Sequence, residues 1–178
     1  MKSKNISTGV SYGLIIGLVY VLFLFWRWSS AENMIQFGII AVVAYMVVLG
    51  MMFYEAHARK KLNGGYIDLK NLFQTLFISV LIFELIYAIY NFIHLKYIDP
   101  EVINRMKVGI ENMLDKAGDN ISDSDREKTL SQMDEMDEST KFTSIVKSYL
   151  ISISISGVFA LIISLIMRKK KPVFEEIN

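Results

Sequence analysis

The stretch LFQTLFISVLIFELIYAIYNFIH, residues 72–94, is interrupted in its apolar character only by Gln74, Glu84, Asn91 and His94. An α-helix needs about 20 residues to cross the roughly 30 Å of hydrocarbon in a bilayer, so this run is long enough to span one. Three further runs behave alike: about 9–26, 35–54 and 149–167. Both prolines of the chain lie outside these runs, which can therefore form uninterrupted helices.

The charges between the runs carry the orientation. Lys2 and Lys4 precede the first run, Arg59, Lys60, Lys61 and Lys70 separate the second from the third, and Arg168, Lys169, Lys170 and Lys171 follow the fourth. By the positive-inside rule these regions face the cytoplasm. Four crossings return both termini to that side, and the short connection 27–33 and the long one 96–143 lie outside. Trp26, Trp28 and Tyr97 at external helix ends, and Tyr12 and Tyr54 at internal ones, fit interfacial aromatics. Lys2, Lys4, the first apolar core and Ser29-Ser30-Ala31 also resemble a secretory signal. The length of the core and the bulk of Trp26 and Trp28 favour an intact first helix. The expectation is an all-α integral membrane four-helix bundle in the cytoplasmic (inner) membrane. It is a single domain over 1–178, with an external, periplasmic helical insertion at about 96–145.

The net charge of +1 argues neither for nucleic acid nor for an acidic substrate, and the absence of Cys removes thiol chemistry and disulfides. The sign of the charge is local. Residues 96–141 hold twelve Asp or Glu against seven Lys or Arg, and a structureless loop of that length is uncommon. Asp99 and Pro100 read as an N-cap and first helical residue. Val102, Met106, Ile110 and Met113, with Ile103 and Leu114 alongside, recur at helical spacing until Gly118 offers a stop. Ser124-x-x-Glu127 reads as a capping box opening a second helix through Leu130, Met133 and Met136. The resulting hairpin carries Met106, Ile110, Met113 and Met133 as a candidate partner surface, and its apolar stripe could dock on its companion helix, on the membrane surface or on another protein. The acidic run Asp134, Glu135, Asp137, Glu138 reads as a solvated helix face. Asp119 to Leu130 lacks the Gly and terminal Glu of a calcium loop.

Glu84 stands near the middle of the third run, where a carboxylate needs a partner or a proton. Tyr87, Asn91 and His94 continue the same helical face toward the external surface. The structural reading is that Glu84 clips its helix to Ser or Tyr groups on neighbours; the functional reading is a proton or ion path. Ser148, Ser152 and Ser156 form a small hydroxyl-bearing ridge on the fourth run, and Gly9, Gly13 and Gly17 a similar ridge on the first. Both read as packing faces.

No paired-His motif, phosphate loop or nucleophile arrangement occurs. His57 and His94 lie at opposite ends of their helices and cannot share a metal. No cofactor is expected. The basic cluster Arg59, Lys60, Lys61, beside His57 and the Gly64-Gly65 turn, reads as a topology signal facing anionic headgroups.

The segments Tyr12-Gly13-Leu14-Ile15-Ile16-Gly17, Lys61-Leu62-Asn63-Gly64-Gly65-Tyr66-Ile67 followed by Leu72-Phe73, and Tyr97-Ile98-Asp99-Pro100 resemble the Bacteroidota membrane proteins grouped as domain-of-unknown-function family 4199. The resemblance covers most of the chain. It implies a four-span bundle with an external insertion and supplies no catalytic residues.

The reading is a non-enzymatic membrane protein, a structural, assembly or accessory component. Its partners are the lipid bilayer and either a second copy or a membrane or periplasmic protein, with no nucleic acid. The alternatives are a small proton- or ion-coupled permease or channel component using Glu84, and a lipid- or phosphate-handling enzyme at the cytoplasmic face.

Overall fold

A computed structural model describes residues 2–118, 121–135 and 141–171. It contains α1 (Lys2–Ser29), α2 (Met34–Leu62), α3 (Leu69–Ile93) extended by a π-helical turn (His94–Ile98), α4 (Val102–Ala117), α5 (Asp123–Glu135) and α6 (Phe142–Met167). Among the described residues there is no strand, only an isolated antiparallel bridge between Ile67 and Lys169. Asn5–Ser29, Met34–Leu62, Leu69–Ile98 and Phe142–Met167 are each long and apolar enough to cross a membrane. Each runs past the apolar stretch that marks it at one end or both, α2 beyond residue 54 and α6 ahead of residue 149, because the flanking residues continue the helical hydrogen bonding.

The radial distribution of polarity is inverted relative to a water-soluble protein. Leu18, Leu22, Ile35, Val42 and Met46 are exposed on the outside of the helices, while Asn5, Glu55, Arg59, Thr75, Ser79, Glu84, Ser156 and Ser164 are buried between them. Hydrocarbon accepts the first set and rejects the second, so the packed helices present lipid with what it solvates.

α3 is the central helix, touching α1, α2 and α6. The Gly ridge of α1 lies against it. A Cβ on Gly9 would sit 2.6 Å from the Thr75 carbonyl oxygen, and one on Gly13 2.8 Å from Ile82 Cβ. Glycine thus brings two backbones together within the chain, the close approach small residues permit when no hydrophobic force separates helix from lipid. At the end bearing both termini, Gly64 and Gly65 adopt φ of 72° and 86°, the left-handed region that lets α2 turn into α3. Ile67 then exchanges backbone hydrogen bonds with Lys169 beyond α6 (2.8 and 3.0 Å).

The core has two parts. One, toward the terminal end, gathers Ile16, Val48, Met52, Leu72, Leu76, Phe83 and Ile163 from four helices. The other joins Leu24, Trp28, Ala31 and Phe37 to Val102 and Met106 of α4, so α4 is bound to the end of the helix pack instead of standing free. Gly109 completes this seat: a Cβ there would lie 2.8 Å from the Glu32 carbonyl oxygen.

The caps differ in place from the sequence expectation. Asp99 does not cap α4, which begins at Val102 behind a helical Glu101 with no side-chain cap bond. The Asp99 carboxylate is taken instead by Arg105. α5 is capped by Ser122, not Ser124. Ser122 Oγ accepts from Asp125 N (3.2 Å) and donates to Asp125 Oδ2 (2.7 Å), a side-chain N-cap two residues early. Gly118 ends α4 as expected, at φ 49°, and Arg126 of α5 donates to Asp115 of α4 at 2.6 Å. Met136, Asp137 and Glu138 lie outside the described residues, as do the side chains of Asp134 and Glu135. Trp26, Tyr54 and Tyr97 project outward, but Trp28 is buried, its indole spent on the interior.

Candidate functional site

Three polar centres are stacked along the interior. In the middle, Glu84 is 4% exposed and its Oε1 accepts from Ser156 Oγ at 2.6 Å. Both residues project from the interiors of long helices, so the bond is a cross-link between α3 and α6 shielded from water. The hydroxyl supplies the donor a buried carboxyl requires. Tyr149 Oη adds a second link by donating to the Leu81 carbonyl at 3.1 Å.

Toward the insertion end, Trp28 Nε1 donates to Asn91 Oδ1 at 3.0 Å, and the indole stacks on His94 with ring centroids 5.9 Å apart. Tyr90 Oη lies 3.1 Å from His94 Nδ1. His94 Nε2 is buried without a partner among the described residues. Tyr87 stacks on Tyr20 of α1, centroids 5.3 Å apart.

The face Glu84, Tyr87, Asn91, His94 is therefore divided. Glu84 is taken by Ser156 and Tyr87 by Tyr20, while Asn91 and His94 share Trp28, with Tyr90 also at His94. Tyr87 and Asn91 line a cavity of about 220 Å³ that also borders Arg27, Trp28 and Ser148, but Glu84 and His94 do not line it. The Ser ridge is divided too: Ser156 is buried at Glu84, Ser152 is half-buried and Ser148 is exposed.

The third centre was missed by reading the sequence. Asn5, Glu55 and Arg59 are buried to 1, 0 and 0% exposure near the terminal end. Asn5 Oδ1 accepts from Arg59 Nε at 3.1 Å and from the Nη2 of the same guanidinium. Asn5 Nδ2 donates to Asn71 Oδ1 at 2.7 Å, and Asn71 Nδ2 to Asp68 Oδ2 at 2.6 Å. Both Glu55 carboxyl oxygens, Arg59 Nη1 and Ser79 Oγ are buried with no hydrogen-bond partner among the described residues. Arg59 thus faces inward and is not part of a headgroup cluster with Lys60 and Lys61. Those two line a shallow hollow with His57, Gly64 and Gly65, which separates the guanidinium from the phosphate-handling arrangement the sequence suggested. The signal was available: Val48, Met52, Glu55, Ala56 and Arg59 recur at helical spacing on one buried face of α2.

The Met and Ile stripe of the insertion divides likewise. Met106 and Met133 are buried at 7 and 5%, while Met113 is 42% and Val108 50% exposed; Ile110 is half-buried. Half of the expected partner surface is used inside the chain. Among the described residues no three His, Asp or Glu side chains gather as metal ligands do.

Among the described residues there are six helices, and the four that are long and apolar enough to span a bilayer around a polar interior mark a polytopic membrane protein. The chain belongs to the family described as protein of unknown function, DUF4199, whose model matches residues 11–169. No curated protein and no solved structure matches it.

Proposed function

We propose that this chain is a non-enzymatic accessory or assembly component of the cytoplasmic membrane. In this reading it holds its termini inside and presents α4 and α5 to a membrane or periplasmic protein. The observation that carries the reading is the seating of α4. Val102, Met106 and Gly109 pack onto Trp28, Ala31, Phe37 and Glu32, so in this reading α4 is a seated platform on which Val108 and Met113, on different faces of the helix, remain uncovered. Preorganised apolar edges suit recognition, since little ordering cost opposes binding. The engagement of Glu84, Tyr87, Asn91 and His94 by neighbours in the interior, Ser156, Tyr20, Trp28 and Tyr90, supports structural over catalytic use.

Photo-cross-linkers placed at Val108 and Met113 in native membranes test this. A reproducible protein adduct from both positions, absent from a buried control at Met106, is expected. Adducts only with lipid or solvent contradict it.

A second reading, a proton-coupled membrane component, is favoured at Glu55 in place of Glu84. Among the described residues both Glu55 carboxyl oxygens lack a hydrogen-bond partner whereas Glu84 is held by Ser156, and a buried intramembrane carboxyl is a candidate for a proton path. Glu55→Gln in sealed vesicles would abolish a pH-driven flux while the protein stays folded; a flux unchanged by the substitution rejects this reading.

A further inference from the structure

We propose that the insertion end holds a binding site for an acidic membrane lipid, with its headgroup at Arg27 and one acyl chain in the groove between α3 and α6. Arg27 lies two residues from the end of α1, the depth at which headgroups meet hydrocarbon. Its guanidinium carbon sits 4.0 Å from the Phe37 ring centroid and 5.8 Å from that of Trp28, and these stacks hold it at the rim of the 220 Å³ cavity. Its Nε is buried with no hydrogen-bond partner, and no ion pair of Arg27 occurs among the described residues. Asn91, Ser148 and Tyr149 supply further polar atoms to the cavity, and no Asp or Glu lines it. A fixed cation with a spare donor, beside the Ser148 hydroxyl and with no carboxylate in the lining, selects an anion.

The second observation names the kind of anion. Ala88, Phe92, Ile145 and Tyr149 line this cavity and also an almost wholly apolar groove of about 430 Å³ between α3 and α6. That groove extends from Ile93 down to Leu85, a rise of about 12 Å along α3. A free phosphate has no use for it, whereas an acyl chain descending from an anchored headgroup fills it. Charge complementarity at the top and an apolar trough below fit an anionic lipid of the leaflet on the insertion side.

The test uses tryptophan quenching in the full chain. Trp26→Phe leaves Trp28, which lines the cavity, as the sole tryptophan. This protein is reconstituted in phosphatidylcholine vesicles containing either chain-brominated phosphatidylglycerol or chain-brominated phosphatidylcholine. We expect the acidic lipid to quench Trp28 with a roughly five-fold preference, the ratio one basic group near a headgroup supplies, and Arg27→Gln to abolish the preference. Ser148→Phe retains Arg27 and fills the cavity from an exposed position; it too should abolish the preference without changing the helical circular dichroism. Equal quenching by both lipids, or a preference that survives Arg27→Gln or Ser148→Phe, overturns the proposal.

Discussion

Ser156 Oγ donates to Glu84 Oε1 across 2.6 Å, tying α6 to α3 at a depth where neither group has water as an alternative. A carboxyl oxygen accepts this bond in either protonation state, and so does a carboxamide oxygen. Glu84→Gln should therefore leave unfolding in detergent micelles nearly unchanged, while Ser156→Ala should lower stability by about 1 kcal/mol, the scale of interhelical hydrogen bonds in membranes. A large loss in Glu84→Gln with a normal Ser156→Ala would assign Glu84 some other partner.

The α1–α3 contact predicts a contrast among glycines. Gly13→Ala drives a Cβ to 2.8 Å from Ile82 Cβ and 2.9 Å from the Ser79 carbonyl, overpacking that costs about 1–3 kcal/mol. Gly38 and Gly50 have nothing within 4 Å of an added Cβ. Alanine there should be neutral or stabilise by up to about 1 kcal/mol through helix propensity. Thermal unfolding of the three variants in one detergent checks the order.

Asn5 Oδ1 is the acceptor for Nε and Nη2 of the buried Arg59. Asn5→Ala strips that acceptor and should destabilise by about 1–3 kcal/mol, the cost of stranding a buried polar group. In an Arg59→Met background the same change should cost far less. A double-mutant cycle measures the difference, and additivity of the two substitutions would deny the pairing.

Asp68 caps α3 by accepting the Asn71 backbone N–H at 2.7 Å. That bond is the chief reason its carboxyl sits below the usual value. Partial burial opposes it, and the Asn71 side chain, the Lys70 backbone and the Lys70 charge assist. The sign follows. A depressed folded value means the cap's stabilisation is complete above the unfolded value of about 4 and is lost as pH falls through the lower folded one. Asp68→Ala should cost about 1 kcal/mol at neutral pH and flatten the acid limb of a stability–pH profile; an unchanged limb contradicts the assignment.

How much of this was legible in the sequence depends on whether a residue looked foreign where it stood. The four long helices were visible because apolar runs of that length have one stable solution in lipid. Glu84 was visible because it is charged amid Phe83 and Leu85, and its Ser156 partner because small hydroxyls recur on the fourth run. Arg59 was hidden: adjacent to Lys60 and Lys61 it looked like one more surface cation, and only the helical phase it shares with Met52 and Glu55 turns it inward. Asn5 was hidden because α1 begins before its apolar run does. The insertion was legible as helices and in its Gly118 stop but not in its N-caps, since Ser122 and Ser124 both stand near an acidic residue and their hydrogen bonds alone distinguish them.

The account rests on the chain crossing the membrane four times with α4 and α5 outside and the α2–α3 turn inside. The absence of Cys allows a direct test: single cysteines at exposed Lys61 and Asn112, treated in intact cells with a membrane-impermeant maleimide. The account predicts that Asn112→Cys is labelled at once and Lys61→Cys only after permeabilisation. Labelling of Lys61→Cys in intact cells, or of neither position until the membrane is opened, would contradict it.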